Sequence, residues 1–286
     1  MTRFPETAAD KTRQHRTSSP LPGKRITLGF SVFYLSVIVL LPIAALVLRA
    51  SHLSATELWS LATNARALAA YKLSLGASLV AALVNAAFGS LLAWVLVRYK
   101  FPGRQLLDGL VDFPFALPTA VAGLTLANLF TENGWLGKFL VPLGIRGAFT
   151  PLGVMIALTF VGLPFSVRTL QPVLENLDRG VEEAAACLGA GRLRTFVSVI
   201  IPTLFPTILT GFGLSFARAL GEYGSIKFIS GNLPETEIAP VLMVARLDQY
   251  DYTGAIAVAV VLMIFSFILL FTLNWVQGWA EKFQQA

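Results

Sequence analysis

Six long apolar runs, at 26–48, 73–97, 106–130, 148–167, 195–217 and 254–276, divide this chain and constrain everything else about it. About 20 apolar residues carry an α-helix across the hydrocarbon core of a bilayer, and all six runs reach that length. Composition agrees, with 55% of the residues hydrophobic and only 13% charged, a balance foreign to ordinary soluble domains. The predicted class is an all-α integral membrane protein with six transmembrane helices. The run at 26–48 exceeds the apolar core of a signal peptide, ~7–15 residues, and reads as an uncleaved first span.

Before it, residues 1–25 carry Arg3, Lys11, Arg13, Arg16, Lys24 and Arg25 among Ser, Thr and Pro, a composition expected of a disordered tail. The formal charge of +6 is spread over the loops rather than gathered on one face, so nucleic acid is not the expected partner. Six spans put both ends on one side. With the loops at 98–104 and 168–194, that side holds about twice as many Lys and Arg as the other. The bias predicts cytoplasmic termini, with 278–286 as a short C-terminal tail.

Within the second run, Ala77, Ala81, Asn85, Gly89 and Ala93 recur at intervals of four. Such a stripe lets helix backbones approach closely in a bilayer, and it predicts an internal packing face with Asn85 bonded to a neighbouring helix. A place for Asn85 on a transport path is the second reading. The third run contains Asp112-Phe113-Pro114-Phe115-Ala116-Leu117-Pro118-Thr119, where two prolines remove two backbone donors and interrupt or bend the helix. Two readings stand for Asp112 and Thr119: the lining of a transport route, or a packing kink with Asp112 at the membrane surface. Residues 131–147 suit an interfacial or re-entrant loop.

A long polar interval between spans, 168–194, holds Asp178 and Glu182-Glu183-Ala184-Ala185-Ala186-Cys187-Leu188-Gly189. Asp178 can cap the N-terminus of a short helix, Glu182 and Glu183 lie near the positive end of its dipole, and Gly189 can take the left-handed conformation that closes it. Val181, Ala184, Ala185 and Leu188 share one low, smooth face. That face serves either a surface helix resting on its own protein or a helix docking into a partner. Further on, Arg218 follows an uncharged run and precedes Ala219-Leu220-Gly221-Glu222. An ionisable residue at membrane depth is a functional candidate, and an ion pair with Glu222 one helical turn away is the structural alternative.

Several chemistries are missing. No phosphate-loop motif binds ATP, no His-Glu-x-x-His or paired-cysteine motif offers a metal, and the single cysteine, Cys187, excludes an internal disulfide. No cofactor is expected in this chain and no catalytic set is recognisable. An ion-driven secondary carrier is the competing class, but the spans lack the series of Asp, Glu and His that a proton relay needs.

Glu183-Ala184-Ala185, three residues, Gly189, nine residues, then Val199-x-Ile201-Pro202 resembles the EAA loop of ABC-importer permeases, E-A-A-x3-G-x9-I-x-L-P, with Val199 and Ile201 as conservative departures. The third-span string from Leu107 to Leu124, with Arg98-Tyr99-x-Phe101-Pro102-Gly103-Arg104, Ser215-Phe216-x-Arg218-x-Leu220-Gly221-Glu222 and Arg246-Leu247-x-x-Tyr250-Asp251-Tyr252, is similar to the T-type permease subunits of bacterial sulfate/thiosulfate importers.

The resemblance implies a type I importer permease whose core covers 71–277. It also implies a second, W-type permease, a pair of A-type ATPase subunits that bind the ATP, and a periplasmic sulfate/thiosulfate-binding protein. Glu182, Glu183, Ala184, Ala185, Gly189 and Pro202 would then couple the chain to the ATPase. Arg218, Glu222, Asp112, Thr119 and Asn85 would be candidates for the anion path. Another oxyanion, such as molybdate, is the alternative cargo.

Overall fold

A computed structural model describes residues 24–284, and every regular element among them is helical. The polar tail expected over 1–25 lies outside the described residues except for its last two positions. Helix α1 (Lys24–Ala50) belongs, as far as Leu48, to a separate N-terminal unit. At 1.5 Å per residue it is about 40 Å long, ample for a ~30 Å hydrocarbon layer.

The second unit begins with α2 (Ala55–Ala62) and α3 (Ala65–Arg98), whose N-termini are capped by Ser54, accepting from Glu57 N–H, and Asn64, accepting from Ala67 N–H. The third apolar run is not a continuous span. It is divided into α4 (Arg104–Val111), α5 (Phe113–Ala116) and α6 (Thr119–Phe130). Pro118 accounts for the second break: its ring disfavours helical geometry at the preceding residue, and Leu117 is extended at φ −86°, ψ 135°. Five described helices are therefore long and apolar enough to cross a membrane, and the sixth crossing predicted from hydropathy is the broken α4–α6 segment.

After α7 (Gly137–Leu140) and a 3₁₀ turn, α8 (Pro151–Asn176) runs nine residues past the end of its apolar run. Leu170 and Leu174 explain the extension, since both are buried against Leu96, Phe196 and Ile200. The chain continues through α9 (Arg179–Cys187), α10 (Arg192–Thr195), a π turn at Phe196–Ile200, α11 (Ile201–Leu220), α12 (Gly224–Ile229), α13 (Ala239–Asp248) and α14 (Tyr252–Gln284). In the π turn the Ile201 N–H bonds to the Phe196 carbonyl, five residues back. Pro202, which has no N–H of its own, follows at once.

The centre of this unit is the seam where α3, α8 and α11 meet. Ala77, Ala81, Asn85, Gly89 and Ala93 are all buried there, and the Asn85 amide donates to Ser215 Oγ of α11 at 2.9 Å. Glycine serves this seam by occupying little space. A Cβ on Gly89 would lie 2.7 Å from Ser166 Cβ, and one on Gly162 would meet both Ser215 Oγ and Asn85 Nδ2. Backbones so close gain the dispersion and polar contacts that must replace the hydrophobic effect inside lipid.

Candidate functional site

Helix α9 is closed at both ends by local interactions. Asp178 Oδ1 accepts from Gly180 N–H at 2.9 Å. At the other end Ala190 N–H bonds to Ala185 O at 3.0 Å and Gly189 N–H to Ala186 O at 2.9 Å, the paired bonds of a Schellman motif. Gly189 has φ +82°, which an L side chain adopts only with strain. A Cβ there would meet nothing, so glycine is required for backbone geometry and not for room. The helix is thus a self-contained element whose surface is free to serve another purpose.

Of the smooth face predicted for α9, Val181, Ala184 and Leu188 are exposed, Leu188 at 89%, while Ala185 is half-buried. Glu183 points to solvent as well. Glu182 does not: its carboxylate accepts from Arg98 Nε at 2.6 Å. The loop after α9 rests on the end of α3, where Trp94 packs against Phe196 at 4.5 Å between ring centroids and Arg192 lies over the Tyr99 ring. Pro202 stands at the start of α11, outside α9, and is itself exposed.

The candidates for the anion path divide among three places. Arg218, in the last turn of α11, pairs with Glu222 through Nη1 at 2.5 Å. Glu222 is 1% exposed, and its other oxygen accepts from Ser225 N–H at 2.9 Å and Ser225 Oγ–H at 3.0 Å. A buried carboxylate so satisfied forms a charge-assisted network that holds α11 to α12. Thr119 belongs to the same neighbourhood, because a Cβ on Gly224 would strike its hydroxyl, and one on Gly123 would strike the Ser225 backbone. The start of α6 is therefore pressed against α12.

Asp112 lies elsewhere. Both its oxygens accept from Arg168 of α8, at 2.7 and 2.6 Å, and the same guanidinium binds the side chain of Asp108 at 2.7 Å and its carbonyl at 2.8 Å. This bidentate arrangement fastens the broken third segment to α8 at the break itself. Asn85 is in the seam, fully buried, and joined to Ser215. Sequence reading missed Arg98, Arg168, Asp108 and Ser225 as partners. The available signal was an arginine just past, or late in, a long apolar helix, which marks a helix end but says nothing of a mate 84 residues away.

Residues 85–284 match the family model described as binding-protein-dependent transport system inner membrane component. The chain is 52% identical over 256 residues to the probable sulfate transport system permease protein cysT of Nephroselmis olivacea, covering 89% of this chain and 90% of that one. It is 48% identical over 259 residues to the sulfate transport system permease protein CysT of Salmonella typhimurium, covering 90% and 94%. Among solved structures, a bacterial ABC transporter involved in the import of the acidic polysaccharide alginate superposes with a TM-score of 0.74 at 14% identity, over 90% of this chain and 96% of that one, a likeness of fold. The chain belongs to the binding-protein-dependent transport system inner membrane components and, within them, to the CysT permeases of ABC sulfate importers.

Proposed function

We propose that this multi-pass inner-membrane permease carries sulfate and thiosulfate into the cell, driven by ATP that a separate subunit hydrolyses. The observation that carries the proposal is the presentation of α9, a short helix closed by its own bonds, with Val181, Ala184 and Leu188 directed outward. An exposed apolar face on a rigid helix suits insertion into a cleft of a partner. The EAA-type spacing assigns that partner to the ATPase pair, with Glu183, Ala184, Ala185 and Gly189 at the contact. The excess of Lys and Arg on the side of the termini supports a cytoplasmic α9, where ATP is found.

The permease core covers 71–277 in this reading, preceded by a tail at 1–25 and a first transmembrane helix at 26–48 and followed by a tail at 278–286, into which α14 continues as far as Gln284. A W-type permease completes the membrane path, and a periplasmic binding protein delivers the anion. A dianion in low dielectric needs cationic or N–H partners that release it again. Arg218 fits that need: its guanidinium is tethered by Glu222 on one nitrogen while the side chain remains 31% exposed. Asp112, Thr119 and Asn85 hold the helices that border the path rather than offering charge to it.

The test is to tag the chain, isolate it in mild detergent, identify what accompanies it in stoichiometric amount, and reconstitute the assembly with the binding protein in vesicles. ATP-dependent uptake of labelled sulfate, competed by thiosulfate more strongly than by molybdate, is expected. A lone protein that transports without ATP would overturn the reading in favour of a secondary carrier. Within a working complex, Arg218→Lys should retain at least tenfold more uptake than Arg218→Ala. Equal loss in both, with poor assembly, would assign Arg218 a purely structural role.

A further inference from the structure

Arg98 is the last residue of α3, and its guanidinium reaches two other elements at once. Nε donates to Glu182 in the first turn of α9 at 2.6 Å, and Nη2 donates to the Leu177 carbonyl, at the C-terminus of α8, at 3.0 Å. The Arg98 side chain is 8% exposed and that of Glu182 24%, so the pair is shielded where most ion pairs near a chain's surface are not. Partial burial matters because attraction between charges grows as water is excluded, and a fixed guanidinium fork loses little freedom in forming it.

The neighbouring glutamate sharpens the point. Glu182 and Glu183 are adjacent, yet a helical step of about 100° sends them to different sides. Glu183 faces solvent, and Glu182 faces the protein. Covalently, α9 reaches the membrane helices through α8 on one side and through α10 and the π turn on the other. Arg98 adds a third and direct connection, to α3. That helix carries the seam with α8 and α11, and its end is packed by Leu96 and Trp94 against Phe196.

We infer that Arg98 is a positioning residue for coupling: through Glu182 it makes α9 move as one body with α3, so that displacement of α9 by its partner reaches the seam of membrane helices. The inference rests on the coupling reading of α9 proposed above. It adds a residue outside the α9 loop and a division of labour within the acidic pair, Glu183 toward the partner and Glu182 toward the permease.

Two readouts separate failure of this inference from failure of that reading. The first does not depend on transport. Cys187, the single cysteine and exposed on α9, takes a nitroxide label whose mobility is read by electron paramagnetic resonance in the purified, membrane-reconstituted complex. Restricted motion is expected in the unaltered protein and a clear gain in mobility in Glu182→Gln, which keeps the shape of the side chain but removes its charge. The second is sulfate imported per ATP hydrolysed. Glu182→Gln and Arg98→Gln should lower that ratio at least tenfold while hydrolysis and the yield of complex stay within twofold. The exchanged pair, Arg98→Glu with Glu182→Arg, should recover part of it.

An unchanged label in Glu182→Gln would overturn the inference, as would an unchanged ratio. Loss of complex in Glu182→Gln would also overturn it, since the pair would then be a folding contact. A loosened label in a preparation that never imports sulfate with ATP would instead count against the transport reading and leave the tether standing.

Discussion

The seam of α3, α8 and α11 and the short helix α9 both depend on glycine, for opposite reasons. At Gly162 a side chain has nowhere to go, because Ser215 and Asn85 already occupy the space. At Gly189 nothing is within 4 Å, and the requirement is φ +82° alone. The first region is specified by the shape of its neighbours and the second by its own backbone. The two kinds of specification suit two tasks, since packed helices must stay assembled against one another while a surface helix must hold its shape alone.

That contrast breaks most visibly at Gly162. Overfilling a packed interior costs about 1–3 kcal/mol and sometimes more. Gly162→Val should fall at or above the top of that range, seen as a sharp loss of protein in the membrane and a lower denaturation midpoint in mixed micelles. Gly189→Asp should cost only about 1 kcal/mol, because a left-handed residue is strained by roughly that amount and Asp tolerates the region better than most. The protein should insert at normal levels yet lose ATP-driven uptake, and full uptake at equal membrane levels would remove the role given to α9.

Smaller effects sharpen the same division. A double-mutant cycle on Asn85→Ala and Ser215→Ala should return a coupling of about 0.6 kcal/mol, the average for hydrogen bonds between membrane helices, with about 2 kcal/mol as the ceiling. At the far end, Leu188→Ser should change stability by less than about 0.5 kcal/mol, since the side chain is exposed. Its effect should instead be weaker association with the ATPase in a pull-down. A stability loss at Leu188 larger than that at the Asn85–Ser215 pair would erase the distinction between the two regions.

What was legible in the sequence follows from how local the cause is. The stripe from Ala77 to Ala93 was readable because helix period alone places those residues on one side. The ends of α9 were readable because Asp178 and Gly189 act on backbone groups within a few residues. The Arg218–Glu222 pair was among the alternatives because it is one turn apart. The break at Pro118 was readable, since proline acts on the residue before it, though the division of the third run into three helices was not.

The ties that assemble the protein were hidden. Arg98 with Glu182, Arg168 with Asp112 and Arg66 with Glu237 lie 84, 56 and 171 residues apart, and nothing local announces a partner. The overrun of α8 to Asn176 was invisible for a related reason. Hydropathy reports where lipid ends, whereas Leu170 and Leu174 continue the helix by packing on protein.

The π turn at Phe196–Ile200 gives the spacing between Gly189 and Val199 a geometric meaning. Each residue advances an α-helix by about 100°, so one extra residue in a turn offsets the angular phase of everything beyond it. The loop after α9 is joined to α11 across such an offset, and so the direction in which Leu188 and Glu183 look, relative to the buried face of α11, is set by a count of residues. Deleting a single residue from 196–200 would swing α9 around the helix axis while leaving every exposed side chain of α9 intact. In this stretch of chain, arithmetic does the work of aim.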